Sequence, residues 1–292
     1  MPPHAARAIT KNSETDSYYP VFLQSCEDND AAIALELAPD RELGMLTYGL
    51  NRAVERGHLA LASQLLGVGA KWDTRTVHLA SRSHATVKWL IESGYDVNTS
   101  VARGATLLLF VVQENDEPSI RLLLKLGANP NLGPPKKITA PAVNMRPISN
   151  CGHTLNSAAV HCSPEIFALL LAHGAVLSNS TPLHRAAGSI SDNRISMLEY
   201  LVGELGLDIH GMDSGPPIPD ECCGREGTSL HCALRRKRYE TAKWLLEHGA
   251  DPDKGDSFGT PARALMRRLP DDNELVVLLR EHRKNTKAIA HF

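Results

Sequence analysis

An all-α solenoid of short paired helices, interrupted by two long loops, is the fold the sequence predicts. Three observations carry that reading. One phrase of paired aliphatics followed by Gly-Ala recurs along the chain, a second phrase of Leu, His or Asn, and small residues precedes it, and aromatics supply only 5% of the 292 residues. The last figure is low for a β-sandwich or barrel, whose strands draw on Tyr, Phe and Trp.

The first phrase stands as Leu65-Leu66…Gly69-Ala70, Leu123-Leu124…Gly127-Ala128, Leu170-Leu171…Gly174-Ala175 and Leu245-Leu246…Gly249-Ala250. Variants are Leu90-Ile91…Gly94-Tyr95 and the looser Leu201-Val202…Gly206. Each aliphatic pair closes an amphipathic stretch, and each glycine falls where a helix C-terminus needs a left-handed residue without a Cβ penalty.

The second phrase is Thr181-Pro182-Leu183-His184-Arg185-Ala186-Ala187, repeated as Thr228-Ser229-Leu230-His231-Cys232-Ala233. Weaker forms run Leu50-Asn51-Arg52-Ala53, Thr76-Val77-His78-Leu79-Ala80 and Leu155-Asn156-Ser157-Ala158-Ala159. A threonine oxygen caps the orphan amides of a helix start, and proline occupies a first turn at no hydrogen-bond cost. Alanines then let a second helix approach closely. Each unit thus reads as a turn, a short helix, a turn and a longer helix.

These phrases resemble the ankyrin repeat, a 33-residue unit carrying T-P-L-H-x-A, and Gly94 to Gly127 spans 33 residues. The resemblance covers residues 18–282 in about eight units: 18–44, 45–73, 74–98, 103–131, 151–178, 179–209, 225–253 and 257–282. The first and last are degenerate, as expected of capping repeats with a solvated outer face. Residues 1–17 are expected to be a disordered lead-in, and 283–292 a basic tail that frays. Two Pro/Gly-rich insertions, 132–150 and 210–224, break the period and read as loops. In the family such connections form projecting hairpin fingers; in any fold, lengthened loops are also tolerated decoration.

Composition narrows the function. A net charge of −2 gives no pull toward nucleic acid or anionic lipid. No secretory leader and no apolar run of membrane-spanning length is found, so the six cysteines are expected to be free thiols in the cytoplasm or nucleus. No phosphate loop, nucleophile elbow, zinc-protease helix or dinucleotide fingerprint occurs. The clusters Cys151/His153/His161/Cys162 and Cys222/Cys223/His231/Cys232 lack zinc-ligand spacing. Neither a metal nor a cofactor is expected.

The resemblance implies a non-enzymatic scaffold or adaptor that grips another protein with its first helices and fingers. By the family pattern the contact positions are Arg103, Gly104, Ala105, Leu107 and Phe110, then Ser157 and His161, then Arg185, then Cys232, Arg235 and Arg236. Phe110 is either an interface anchor or a core residue. The T-P-L-H histidines His78, His184 and His231 are expected to be structural. A stripe of cations (Arg52, Arg56, Arg82, Arg185, Arg235 to Arg238, Arg267, Arg268) suits an acidic segment on the partner. The alternative is a small apolar molecule held in the groove by a carrier, or by an unconventional cyclase or isomerase. His153, His161 or Asp192 would then be the acid or base. A closed apolar pocket beneath 132–150 would favour that alternative, and an open polar groove the binder.

Overall fold

A computed structural model describes residues 20–38, 42–135, 147–191, 194–213 and 227–289. The regular elements among them are helices, and β pairing is confined to isolated bridges such as Gly133 with Ile148 and Gly255 with Pro261. None of these helices is long and apolar enough to cross a membrane. Residues 1–17 and most of both insertions lie outside the described residues.

The chain forms two compact units that divide between Val101 and Ala102. The division falls at an irregular turn, Ala102–Gly104, in which Arg103 (φ 64°) and Gly104 (φ 80°) are both left-handed.

The first unit holds α1 (residues 20–27), α2 (Ala31–Leu37), α3 (Leu43–Glu55), α4 (Leu59–Gly67), α5 (Thr74–Ala80) and α6 (His84–Glu92). Phe22, Leu50, Leu61, Leu65, Val77 and Leu90 are fully or almost fully buried and form its core. Helices α3 and α5 lie side by side. Gly49 on α3 leaves room for Phe22, because a Cβ there would sit 2.6 Å from the Phe22 ring. The Asp73 carboxylate accepts the Thr76 amide (2.8 Å), and Thr76 Oγ1 in turn serves the Asp73 amide, a reciprocal cap for α5.

The second unit holds α7 (Leu107–Gln113), α8 (Glu117–Lys125), α9 (His153–His161), α10 (Pro164–Ala172), α11 (Pro182–Ala187), α12 (Ile195–Glu199), α13 (Ser229–Arg235), α14 (Tyr239–Glu247), a 3₁₀ turn at Ala262–Met266 and α15 (Glu274–Ile289). The short first helices stack in order: α7 on α9, α9 on α11, α11 on α13, and α13 on the 3₁₀ turn. Each second helix packs on its own first helix. Helix α15 continues past residue 282, through the first part of the expected tail.

The Gly-Ala phrase terminates the second helices as its chemistry requires. The Gly127 amide donates to Leu124 O (3.0 Å) and the Ala128 amide to Leu123 O (2.9 Å), and the same pair of bonds recurs at Gly69, Gly174 and Gly249. These glycines carry φ between 83° and 111°, completing Schellman caps on the carbonyls of the aliphatic pair. The looser phrase Leu201-Val202…Gly206 has one extra residue, and the helix absorbs it as a π turn over Tyr200–Glu204, closed by Leu205 N to Tyr200 O at 3.0 Å.

The ends of both insertions are pinned. Gly133 and Ile148 exchange amide bonds at 3.2 and 3.0 Å, and Asp213 N donates to Gly227 O at 2.8 Å. Gly152 lies so close to the backbone of the next repeat that an added Cβ would fall 2.1 Å from Asn179 O; no side chain fits there.

Candidate partner-binding face

Stacking of the first helices in the second unit places one position of each in a row. On α7, α9, α11 and α13 these are Phe110, Ser157, Arg185 and Cys232, each partly exposed. The two residues that follow each of them are buried: Val111 and Val112, Ala158 and Ala159, Ala186 and Ala187, Ala233 and Leu234. A helical turn further on, Glu114, His161 and Arg236 are exposed. The helices approach closely here, since a Cβ on Gly188 would lie 3.7 Å from both Cys232 Cβ and Arg236 Cγ.

His184 and His231 are buried rather than open onto this row. His231 Nδ1 accepts the Thr228 amide (3.1 Å), so its Nε2 carries the hydrogen and donates to Thr260 O of the following repeat (3.0 Å). His184 Nε2 donates to Gly211 O at 2.9 Å. Burial holds both imidazoles below their ordinary pKa, against the opposing pull of the accepting carbonyls and of Asp213 and Asp256. Asparagine does the same work elsewhere: Asn156 Oδ1 accepts the Thr181 amide (2.9 Å), and Asn51 joins Thr76 (2.6 Å) and Asp73 (3.3 Å). His78 is half-exposed.

The cations divide into two kinds. In the first unit Arg52 and Arg56 both face Glu27, and Arg52 and Arg75 face Glu55. The hydrogen bond from Arg56 holds the Glu27 carboxyl below its usual range. This end of the expected stripe is therefore neutralised locally. In the second unit Arg235 Nη2 and Arg238 Nε are buried yet have no hydrogen-bond partner among the described residues. The run 235–238 is not one helical face: Arg235 ends α13, Lys237 is left-handed (φ 56°), and Arg238 precedes α14.

The remaining contact positions separate by burial. Arg103 is exposed, while Gly104, Ala105 and Leu107 are buried, Leu107 completely; these three belong to the core rather than to a contact surface. Helix α9 sets His153 and His161 at opposite ends, about 12 Å apart along its axis at 1.5 Å per residue. His153 Nδ1 lies 3.0 Å from Cys151 Sγ, and His161 is exposed. Asp192, Cys222 and Cys223 lie outside the described residues. Burial pushes the Cys26 and Cys162 thiols up to about 12, which leaves them un-ionised at neutral pH. Among the described residues no cluster of three or more His, Cys, Asp or Glu is arranged to hold a metal ion.

The two most exposed large apolar side chains among the described residues went unmarked by sequence reasoning. Phe258 (70% exposed) tips the turn between Gly255 and Pro261, and Ile190 (73%) follows α11. Asp256 shapes the tip, its carboxylate accepting the Phe258 and Thr260 amides, each at 2.9 Å. The Gly-Asp-Ser-Phe-Gly run is a turn signal from which this finger is readable.

Two family models match the chain: "Ankyrin repeats (3 copies)" over residues 50–133 and "Ankyrin repeats (many copies)" over residues 183–246, together just over half of it. Among solved structures, the human ASB11 ankyrin repeat domain is similar at 24% identity, covering 79% of this chain and 96% of that one, with a TM-score of 0.53. The ankyrin repeat domain of Bcl-3, a member of the IkappaB family, matches at 19% identity over 80% of this chain and 84% of that one, with a TM-score of 0.44. No curated protein sequence matches.

Proposed function

Because the chain belongs to the ankyrin repeat family, whose repeats are generally protein–protein interaction modules, we propose that its second unit docks a protein partner bearing an acidic segment. The partner lies along the row Phe110, Ser157, Arg185 and Cys232, with His161, Arg103 and Arg236 at its margin. Arg235 meets a carboxylate of the partner. The protein acts as a non-enzymatic scaffold or adaptor in the cytoplasm or nucleus.

The observation that carries this reading is the partly exposed Arg235, whose buried Nη2 has no hydrogen-bond partner among the described residues, beside the exposed Arg236. A buried donor without an acceptor costs about 1–3 kcal/mol. A planar guanidinium at such a site is suited to a bidentate carboxylate.

Affinity purification with the wild-type chain and with Arg235→Glu/Arg236→Glu tests it. The reading expects a protein retained by the wild type, released by salt, and lost from the double variant. Retention of that protein by the variant, with the same salt dependence, contradicts it.

A further inference from the structure

An open cleft of about 270 Å³ lies between the 3₁₀ turn Ala262–Met266 and one face of α15. Its floor is apolar, built from Met266, Leu269, Val276 and Leu279. Its rim carries four guanidiniums, Arg263, Arg267, Arg280 and Arg283, against the single carboxylate of Asp271. Residues 276, 279, 280 and 283 recur at the i, i+3, i+4, i+7 spacing of one helix face, so α15 presents this surface as a continuous stripe.

The charges do not balance. Asp271 is bound by Arg280, and Arg263 is bound to Asp253. Arg267 and Arg283 have no carboxylate within ion-pair reach among the described residues. Two unmatched cations thus flank an apolar floor. The volume falls just below the roughly 300–1,000 Å³ of small-molecule pockets, which suits one large side chain rather than a whole ligand.

We infer that this cleft on the C-terminal repeat is a second docking site, for a short acidic peptide segment that buries one large apolar side chain between carboxylates. The apolar side chain sits on Met266 and Leu279, and flanking carboxylates pair with Arg267 and Arg283. Opposite charge steers the segment in, and the fit of the side chain sets how long it stays. The site uses none of the residues of the first-helix row, so the two stand or fall separately.

Fluorescence anisotropy on the full chain tests it with two labelled peptides: one of Asp and Glu around a central Leu-Phe, and the same peptide with Gly-Gly at its centre. The inference expects the Leu-Phe peptide to bind about tenfold more tightly than the Gly-Gly peptide. Arg267→Glu/Arg283→Glu should weaken it by at least about tenfold, and Arg235→Glu/Arg236→Glu by less than about twofold. Arg267 and Arg283 are exposed, so the variant keeps its thermal melt; Arg267→Gln/Arg283→Gln gives the same order of effect with no reversed charge. Equal binding of the two peptides overturns the inference. So does full affinity in either Arg267/Arg283 variant, or binding of the chain to anionic phosphatidylserine vesicles while the Leu-Phe peptide stays free.

Discussion

His231 Nε2 lies 3.0 Å from the main-chain oxygen of Thr260, one repeat further along the chain. The bond needs a neutral imidazole whose Nδ1 is free to accept from Thr228, and burial favours that form, as it does at His184. With both folded pKa values below the usual value of about 6.5, the unfolded chain takes up protons first as pH falls. The two histidines therefore contribute full stability above about pH 6.5 and lose it as pH drops toward their folded values. Thermal melts should fall between pH 7.5 and 5.5, and the fall should shrink in His184→Gln/His231→Gln. An unchanged pH slope in that variant would contradict the assignment.

Leu170 is completely buried on α10, where the second phrase's successor helix packs on α9. Leu170→Ala removes that contact and leaves a cavity worth roughly 2–5 kcal/mol. Urea unfolding followed by circular dichroism reads the loss directly. Wild-type unfolding in this variant would show that the register is wrong.

Asn131, at the base of the first insertion, holds the next repeat from both ends of its amide. Nδ2 donates to Gly174 O (2.8 Å), and Oδ1 accepts the Val176 amide (2.9 Å). At about 0.5–1.5 kcal/mol per net bond, Asn131→Ala should cost roughly 1–3 kcal/mol. Hydrogen exchange should show faster opening at Val176 and little change at the α14 cap. Uniform or absent change would mean that the amide does not couple the two repeats.

Much of this was legible because local chemistry repeats. The aliphatic pair and its glycine locate the ends of α4, α6, α8, α10 and α14, since a left-handed residue closes a Schellman cap, whereas the π turn at the looser phrase before Gly206 was not foreseen. What was not legible depends on contacts distant in sequence. Nothing near Arg52 and Arg56 announces that Glu27 neutralises both. The link from Asn131 to residue 174 spans 43 positions, and the burial of Leu107 follows from stacking rather than from its own phrase. Nor does the sequence, which offers Arg103 as a contact position, announce that its backbone is left-handed.

The central claim is that the partner lies on the first helices of the second unit. Hydrogen exchange of the complex tests it most directly. The account predicts slowed exchange in α11, α13 and the turn at 255–261, with α8, α10 and α14 unchanged. Protection confined to those second helices, with α11 and α13 exchanging as in the free chain, would contradict it.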